Sequence, residues 1–141
     1  NTNHLNGYYF SIINKKKFWF RSSYELIAYK LLDENIEIKE WTTEPLRIEY
    51  KKDDGSIHNT VPDILIEYKS GIKQIINIKP LIRTKERLNI LKSEATEKYC
   101  EENNLKYSVW TEKELNLITP KEAKLKTLKY LKQNEWLLEV K

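Results

Sequence analysis

Three polar side chains interrupt two otherwise apolar, strand-forming runs: Asp63 follows Pro62, and Asn77 and Lys79 flank Ile78. Polar groups on strands of this kind are costly to bury without partners or a purpose. The runs, residues 61–68 and 72–78, are joined by Lys69-Ser70-Gly71, and a hairpin closing symmetrically on Ser70 sets Asp63 opposite Asn77. A bulge at Gly71 would shift that pairing by one. Period two then gives one face to Asp63, Leu65, Ile75, Asn77 and Lys79, and the other to Ile64, Ile66, Ile76 and Ile78, where a helix would cover them. An acid, a second oxygen donor and a lysine at one sheet edge can hold a hard cation such as Mg2+ and leave the ammonium beside an attacking water. Phosphodiester hydrolysis uses those parts, because developing charge must be neutralised and the nucleophile oriented.

The elements that must position these residues are legible in part. Residues 8–13 and 18–21 are aromatic and β-branched runs around a polar turn at Asn14-Lys15-Lys16-Lys17, which predicts a hairpin with a cationic tip. Tyr24, Ile27, Ala28, Leu31 and Leu32 recur at helical spacing behind the N-cap candidates Ser22 and Ser23, so a helix is expected over 23–34. Leu46 to Tyr50 alternates as a half-buried strand, and Asp54-Gly55 signals a turn. Leu88, Leu91, Ala95 and Tyr99 predict a helix over 84–102, closed by Asn103-Asn104. Residues 107–110 form a short strand. Thr111-x-x-Glu114 and Thr119-x-x-Glu122 both read as helix starts, the second with Pro120 at the first helical position. Leu125, Leu128 and Leu131 are expected to face inward.

The chain has 141 residues with 40% apolar content, enough for one core, so a single domain is expected: a hairpin over 1–21, a core over 22–118 and a terminal helix over 119–141. A charged fraction of 33%, net charge +4 and pI about 9.0 favour a polyanionic partner without demanding one. Cys100 is the only cysteine, which excludes an intrachain disulfide and reads as a small buried hydrophobe in a reducing compartment. No apolar run approaches the ~20 residues of a membrane span, and no signal segment is seen, so an intracellular, cytoplasmic protein is expected. With no Met anywhere, residues preceding Asn1 are expected too.

In order and spacing, these motifs resemble the PD-(D/E)XK nuclease superfamily: Pro62-Asp63, the turn, Asn77-x-Lys79 and the upstream Glu25. Arg21-Ser22-Ser23-Tyr24-Glu25-Leu26, Glu44-Pro45, Val61-Pro62-Asp63 and Ile76-Asn77-Ile78-Lys79-Pro80 are similar to the endonuclease subunit of cut-and-paste transposons (TnsA-like) and related phage nucleases, across about Tyr8 to Leu115. The resemblance implies an α/β fold with a restriction-endonuclease-like core. Its order is α-β-β-β-α-β, with a central mixed sheet flanked by helices, beside an N-terminal β-hairpin and a C-terminal helix. It implies a metal-dependent DNA endonuclease using Mg2+, with Mn2+ as substitute. Asp63 would be the central ligand, Asn77 and the Ile78 carbonyl further ligands, Glu25 an acid reaching the site, and Lys79 the catalytic lysine. Double-stranded DNA would be the partner, with a homodimer or a recruiting protein where both strands are cut, in a phage-encoded or mobile-element setting.

Asn77 departs from the pattern, since the family carries Glu, Asp or sometimes Gln there. A carboxamide can coordinate a cation but brings no negative charge, so metal affinity should fall. Three origins fit: a lineage tolerating an amide, deliberate inactivation, or a fold retained as a DNA-binding or assembly module after catalysis was lost. An RNA-directed nuclease of the same fold is a further alternative.

Each assignment has a plainer counterpart. Ser22-x-x-Glu25 is itself a capping box that would return the carboxylate to the Ser22 amide. Lys15, Lys16 and Lys17 suit phosphates or a solvated turn. Arg21, Arg83, Lys85 and Arg87 are candidate DNA contacts, against a solvated helix face for the last three. His4 and His58 lack metal-site spacing. Trp19, Trp41, Trp110 and Trp136 are expected to fill the core or cover its edges.

Overall fold

The computed structural model describes residues 5–135, so His4 and Trp136 lie outside the described residues. The chain runs β1 (Gly7–Ser11), β2 (Lys16–Phe20), α1 (Ser23–Glu34), β3 (Ile38–Thr43), β4 (Ile48–Lys51), β5 (Ile57–Thr60), β6 (Ile64–Tyr68), β7 (Lys73–Ile78), α2 (Arg87–Glu102), β8 (Lys106–Trp110) and α3 (Pro120–Gln133). Two compact units emerge: one from the residues up to Ile36 together with those from Glu112 onward, the other Glu37–Thr111. The architecture is mixed α/β with a mixed central sheet, an N-terminal antiparallel hairpin and a C-terminal helix, consistent with a restriction-endonuclease-like fold.

In the first unit, β1 and β2 pair antiparallel with Tyr9 opposite Phe18 and Tyr8 opposite Trp19. Period two buries Tyr9, Ser11, Phe18 and Phe20 and turns Tyr8, Phe10 and Trp19 outward. Trp19 is 43% exposed rather than in the core, because it shares the outward parity of Tyr8, against whose ring it stands edge-on at 4.8 Å. The buried face lies against α1, where the Asp33 carboxylate accepts from the Tyr9 hydroxyl (2.7 Å), the Ser11 hydroxyl (2.9 Å) and the Ile12 amide (3.0 Å). Ser22 caps α1 as expected, accepting the Glu25 N–H.

Packing of α3 on α1 differs from the sequence reading. Ala123 and Thr127 face inward, whereas Leu125 and Leu128 are 58% and 45% exposed. Small residues at i and i+4 let the helix approach closely, and Leu131 beyond them lies so near Gly7 that a Cβ added there would meet its Cδ2 at 2.9 Å. The segment after Thr111 forms turns rather than the expected helix. Asn116 takes a left-handed φ of 56° while the Leu117 N–H returns to the Glu112 carbonyl, which ends any helix before it starts. Leu115 and Leu117 are buried by that turn.

The second unit is built on a four-stranded sheet of order β3-β6-β7-β8, antiparallel except for the β7–β8 pair. Gly71 supplies a φ of 92° in the β6–β7 turn, and the pairing of Ile64 with Ile76 and Leu65 with Ile75 is the register of closure on Ser70. Ile64, Ile66 and Ile76 are fully buried on one face. Strand β3 was not expected, because a register irregularity between Ile38 and Glu40 breaks the alternation that would reveal it. Strand β5 was missed as well; its Ile57-His58-Asn59-Thr60 carries no buried residue and pairs with β4 as a separate ribbon. Helix α2 starts at Arg87 rather than 84, behind a 3-10 turn at Leu81–Arg83, and lies against β4 and β8. It ends through Asn104 at φ 55°, as the paired asparagines suggested, and buries Cys100.

Candidate active site

All residues of the candidate metal site except Glu25 belong to the second unit, at the open end of the β6–β7 hairpin. Strand geometry puts Asp63 just before β6 and across from Asn77 near the end of β7. The two are linked directly: the Asp63 N–H donates to Asn77 Oδ1 at 3.2 Å, and the Ile78 N–H donates to Asp63 Oδ2 at 2.6 Å. Among the described residues the Asp63 carboxylate takes no other hydrogen bond, so Oδ1 stays available to a ligand.

Burial raises the Asp63 carboxyl above the usual carboxylate range, against the Ile78 N–H and the positive charge of Lys79, with Glu44 adding a smaller push in the same direction as burial. Lys79 is held in place by its own backbone, whose N–H donates to the Trp110 carbonyl on β8 at 2.9 Å. Burial lowers its ammonium below the ordinary lysine value. Asp63 opposes that shift, and Lys92 and Arg83 reinforce it. Lys79, Lys92 and Arg83 therefore share one neighbourhood of positive potential beside a buried acid.

Asn77 is only 8% exposed and engaged at both ends, since its Nδ2 donates to the Tyr107 hydroxyl on β8 at 2.9 Å. Tyr107 pairs with Ile75, two residues before Asn77, so it stands diagonally across the parallel pair on the same face. Its hydroxyl lies 2.8 Å from Ser93 Oγ on α2. The polar face of the hairpin is thus tied to α2, while the isoleucine face lies opposite.

Two neighbours escaped the sequence reading in this role. Tyr107 was visible only as a strand residue, because no local pattern reports the register of a parallel crossover. Glu44 appeared only as part of a motif. Its N–H donates to the Asp63 carbonyl at 3.0 Å, and it takes a left-handed φ of 47° immediately before Pro45, an uncommon conformation for a non-glycine residue.

The other candidates are placed as follows. Glu25 lies in the first unit, where Oε1 accepts the Arg21 N–H at 2.6 Å; the capping-box carboxylate reaches one residue further back than the Ser22 amide. The tip turn of the first hairpin includes Lys15 at φ 57°, and Lys16 and Lys17 open β2, with the Lys17 ammonium 4.5 Å from the Tyr8 ring centre. Arg83 pairs with Glu86 at 2.8 Å, and Arg87 makes two hydrogen bonds to the Asp53 carboxylate at 2.9 and 2.7 Å. Lys85 is exposed. His58 is exposed and bonds Ser56, not an acid. Among the described residues, no group of three or more His, Cys, Asp or Glu side chains converges as a metal cage.

An acid, an amide oxygen and a lysine thus meet at the end of a β-hairpin within a mixed sheet. Residues 35–112 match the family model of the TnsA-like endonuclease N terminal domain, more than half of the 141-residue chain. The chain belongs to that family, which is one of the PD-(D/E)XK nuclease-like group. No curated protein matches it. The matched span coincides with the second unit, Glu37–Thr111, to within two residues, and leaves Glu25 and the first hairpin outside.

Proposed function

We propose that the chain is a metal-dependent endonuclease hydrolysing phosphodiester bonds of double-stranded DNA, with Mg2+ as the working cation and Mn2+ as a substitute. The observation that carries this reading is the direct link between Asp63 and Asn77–Ile78, with Lys79 next along the chain. The donor set fits a hard cation: one buried carboxylate with an available oxygen, one amide oxygen and the Ile78 carbonyl. A single negative charge suits an ion that keeps several of its waters. Held there, Mg2+ would neutralise charge on the scissile phosphate and orient the attacking water.

The protein's own residues contribute the rest. Asp63 anchors the cation, and the Asn77 oxygen adds a neutral ligand. Lys79 places its ammonium beside the reacting phosphate, where partial burial strengthens its effect on developing negative charge. Arg83, Lys85, Lys92 and Arg87 supply phosphate contacts in the same unit, and Lys15, Lys16, Lys17 and Arg21 supply them in the other. Glu25 closes the N-terminus of α1, and the proposal rests on the second unit alone. Cleavage of both strands calls for a second copy or a recruiting partner.

Supercoiled plasmid incubated with Mg2+ or Mn2+ tests the reading. The natural chain should nick or linearise it and Asp63→Ala should leave it intact; equal cleavage by both would sink the assignment. A second reading has its own observation: the Asn77 amide is neutral and hydrogen-bonded at both ends, as in a site retained for structure. Under that reading the chain is a nuclease-fold DNA-binding or assembly module, which would bind plasmid but not cut it under any metal condition.

A further inference from the structure

The two hydrogen bonds of the Asn77 amide have fixed directions. A backbone N–H can only donate, so the Asn77 atom facing Asp63 N at 3.2 Å must be the amide oxygen. The amide nitrogen therefore faces Tyr107, and since it too can only donate, the Tyr107 oxygen accepts at 2.9 Å. The Tyr107 oxygen also lies 2.8 Å from Ser93 Oγ, a hydroxyl pair in which either oxygen can donate. The order is Ser93, Tyr107, Asn77, Asp63, running from α2 across β8 and β7 to the acid. Flipping the amide would set two donors against each other at Asp63, whereas the Tyr107 hydroxyl can donate or accept and would bond either orientation. The Asp63 N–H thus fixes which way round the amide sits, and Tyr107 fixes where its far end lies.

We propose that Tyr107 is a positioning residue for the metal site: it anchors the far end of the Asn77 carboxamide, whose oxygen-inward orientation the Asp63 N–H sets, and so keeps the second lone pair of Oδ1 aimed where a cation can take it. This rests on the reading of Asp63 and Asn77 as metal ligands. An amide has a wrong way round, which the Asp63 N–H excludes, and a single oxygen that must serve both that N–H and the cation. The phenol braces that amide in place, turning a residue without charge into a defined oxygen ligand. Groups that orient a ligand in this way are typically worth about 10–100-fold in metal affinity.

The experiment is calorimetric titration of Mn2+ into the natural chain, Tyr107→Phe, Ser93→Ala and Ser93→Thr, with 1H–15N spectra of the Asn77 side-chain amide recorded without metal. Tyr107→Phe should bind Mn2+ about tenfold more weakly. It should also raise the metal concentration for half-maximal cleavage, with kcat at saturating metal unchanged. Ser93→Ala should weaken binding in the same direction by a smaller factor, and Ser93→Thr, which keeps the hydroxyl, should restore it. The Asn77 amide proton signals should move toward their solvent-exposed positions in Tyr107→Phe. Equal Mn2+ affinity in the natural chain and Tyr107→Phe overturns the proposal. If the natural chain binds no Mn2+, the metal reading falls instead, and with it this function of Tyr107. If Tyr107→Phe fails to fold, the Ser93 pair decides by the same criterion: equal affinity in Ser93→Ala and Ser93→Thr overturns it.

Discussion

Asn77 Oδ1 accepts the backbone N–H of Asp63 at 3.2 Å, so the two residues that face each other across the hairpin are joined by side chain to main chain rather than by side chain to side chain. This leaves the Asp63 carboxylate free to be held by the Ile78 N–H alone. Charge at this end of the sheet is consequently set by Asp63 and the cations around it, with Glu44 and Glu86 as further acids nearby, and the first predictions concern that balance.

Replacing Asp63 by Asn should stabilise the metal-free protein at neutral pH. Burial raises the Asp63 carboxyl, so the folded state holds its proton more tightly than the unfolded chain does. The contribution to stability is fully present below the unfolded value and is lost as pH rises through the folded one. At pH 7 the ionised group is therefore a liability, which an amide of the same shape removes while still accepting the Ile78 N–H. Thermal melts in EDTA should show Asp63→Asn melting a few degrees higher, with the difference shrinking toward pH 4 and the stabilisation by added Mg2+ gone. A lower melting temperature at every pH would contradict the assigned cause.

Lys79 should impose an alkaline limit on cleavage. Burial and the neighbouring Lys92 and Arg83 lower its pKa, so the ammonium is present at low pH and is lost earlier on the alkaline side than for an exposed lysine. Rate against pH should fall on that side for the natural chain, and Lys79→Ala should be slower by about 10²–10³-fold and lose this limb. An unchanged limb in the variant would assign it to another group.

Asn77→Asp keeps the side-chain length and an acceptor for the Asp63 N–H but adds charge, and Tyr107 can rotate its proton to donate. Mn2+ should bind about tenfold or more tightly, while the metal-free protein should melt lower because two carboxylates then share a buried site. Calorimetry and melts with EDTA check both halves, and weaker Mn2+ binding would argue against position 77 as a ligand.

Asp53 restrains Arg87 through two hydrogen bonds, and both groups are exposed. Asp53→Ser should release the guanidinium for phosphate, tightening duplex binding and steepening its dependence on salt by about one unit of log–log slope. Anisotropy titrations from low to moderate salt measure this. An identical slope would place Arg87 away from the DNA path.

Much of the candidate site was readable because it is local. Gly71 and Ser70 fix a turn whose register follows from counting, and Asp63 and Asn77 are the residues that counting pairs. Helix α1 was legible for a similar reason, with Ser22 capping a clean apolar stripe. Strand β3 was hidden by its irregularity at Ile38/Glu40, and β5 by having no buried side at all. In α3 the leucines outweighed the residues that face inward, because close approach selects Ala123 and Thr127 by size rather than by hydrophobicity. Tyr107 could not be placed, since its position depends on how β8 slides along β7 after a helical crossover.

That parallel pairing also orders events in time. The hairpin of β6 and β7 closes over a three-residue turn and can form early, bringing Asp63 and Asn77 together while the chain is still open. Pairing of β8 to β7 must wait for α2 to be threaded back, a slow, long-range step. A nascent chain thus possesses its acid and amide before the phenol that braces the amide, and the hydrogen-bonded arrangement is complete only with the last strand of the sheet.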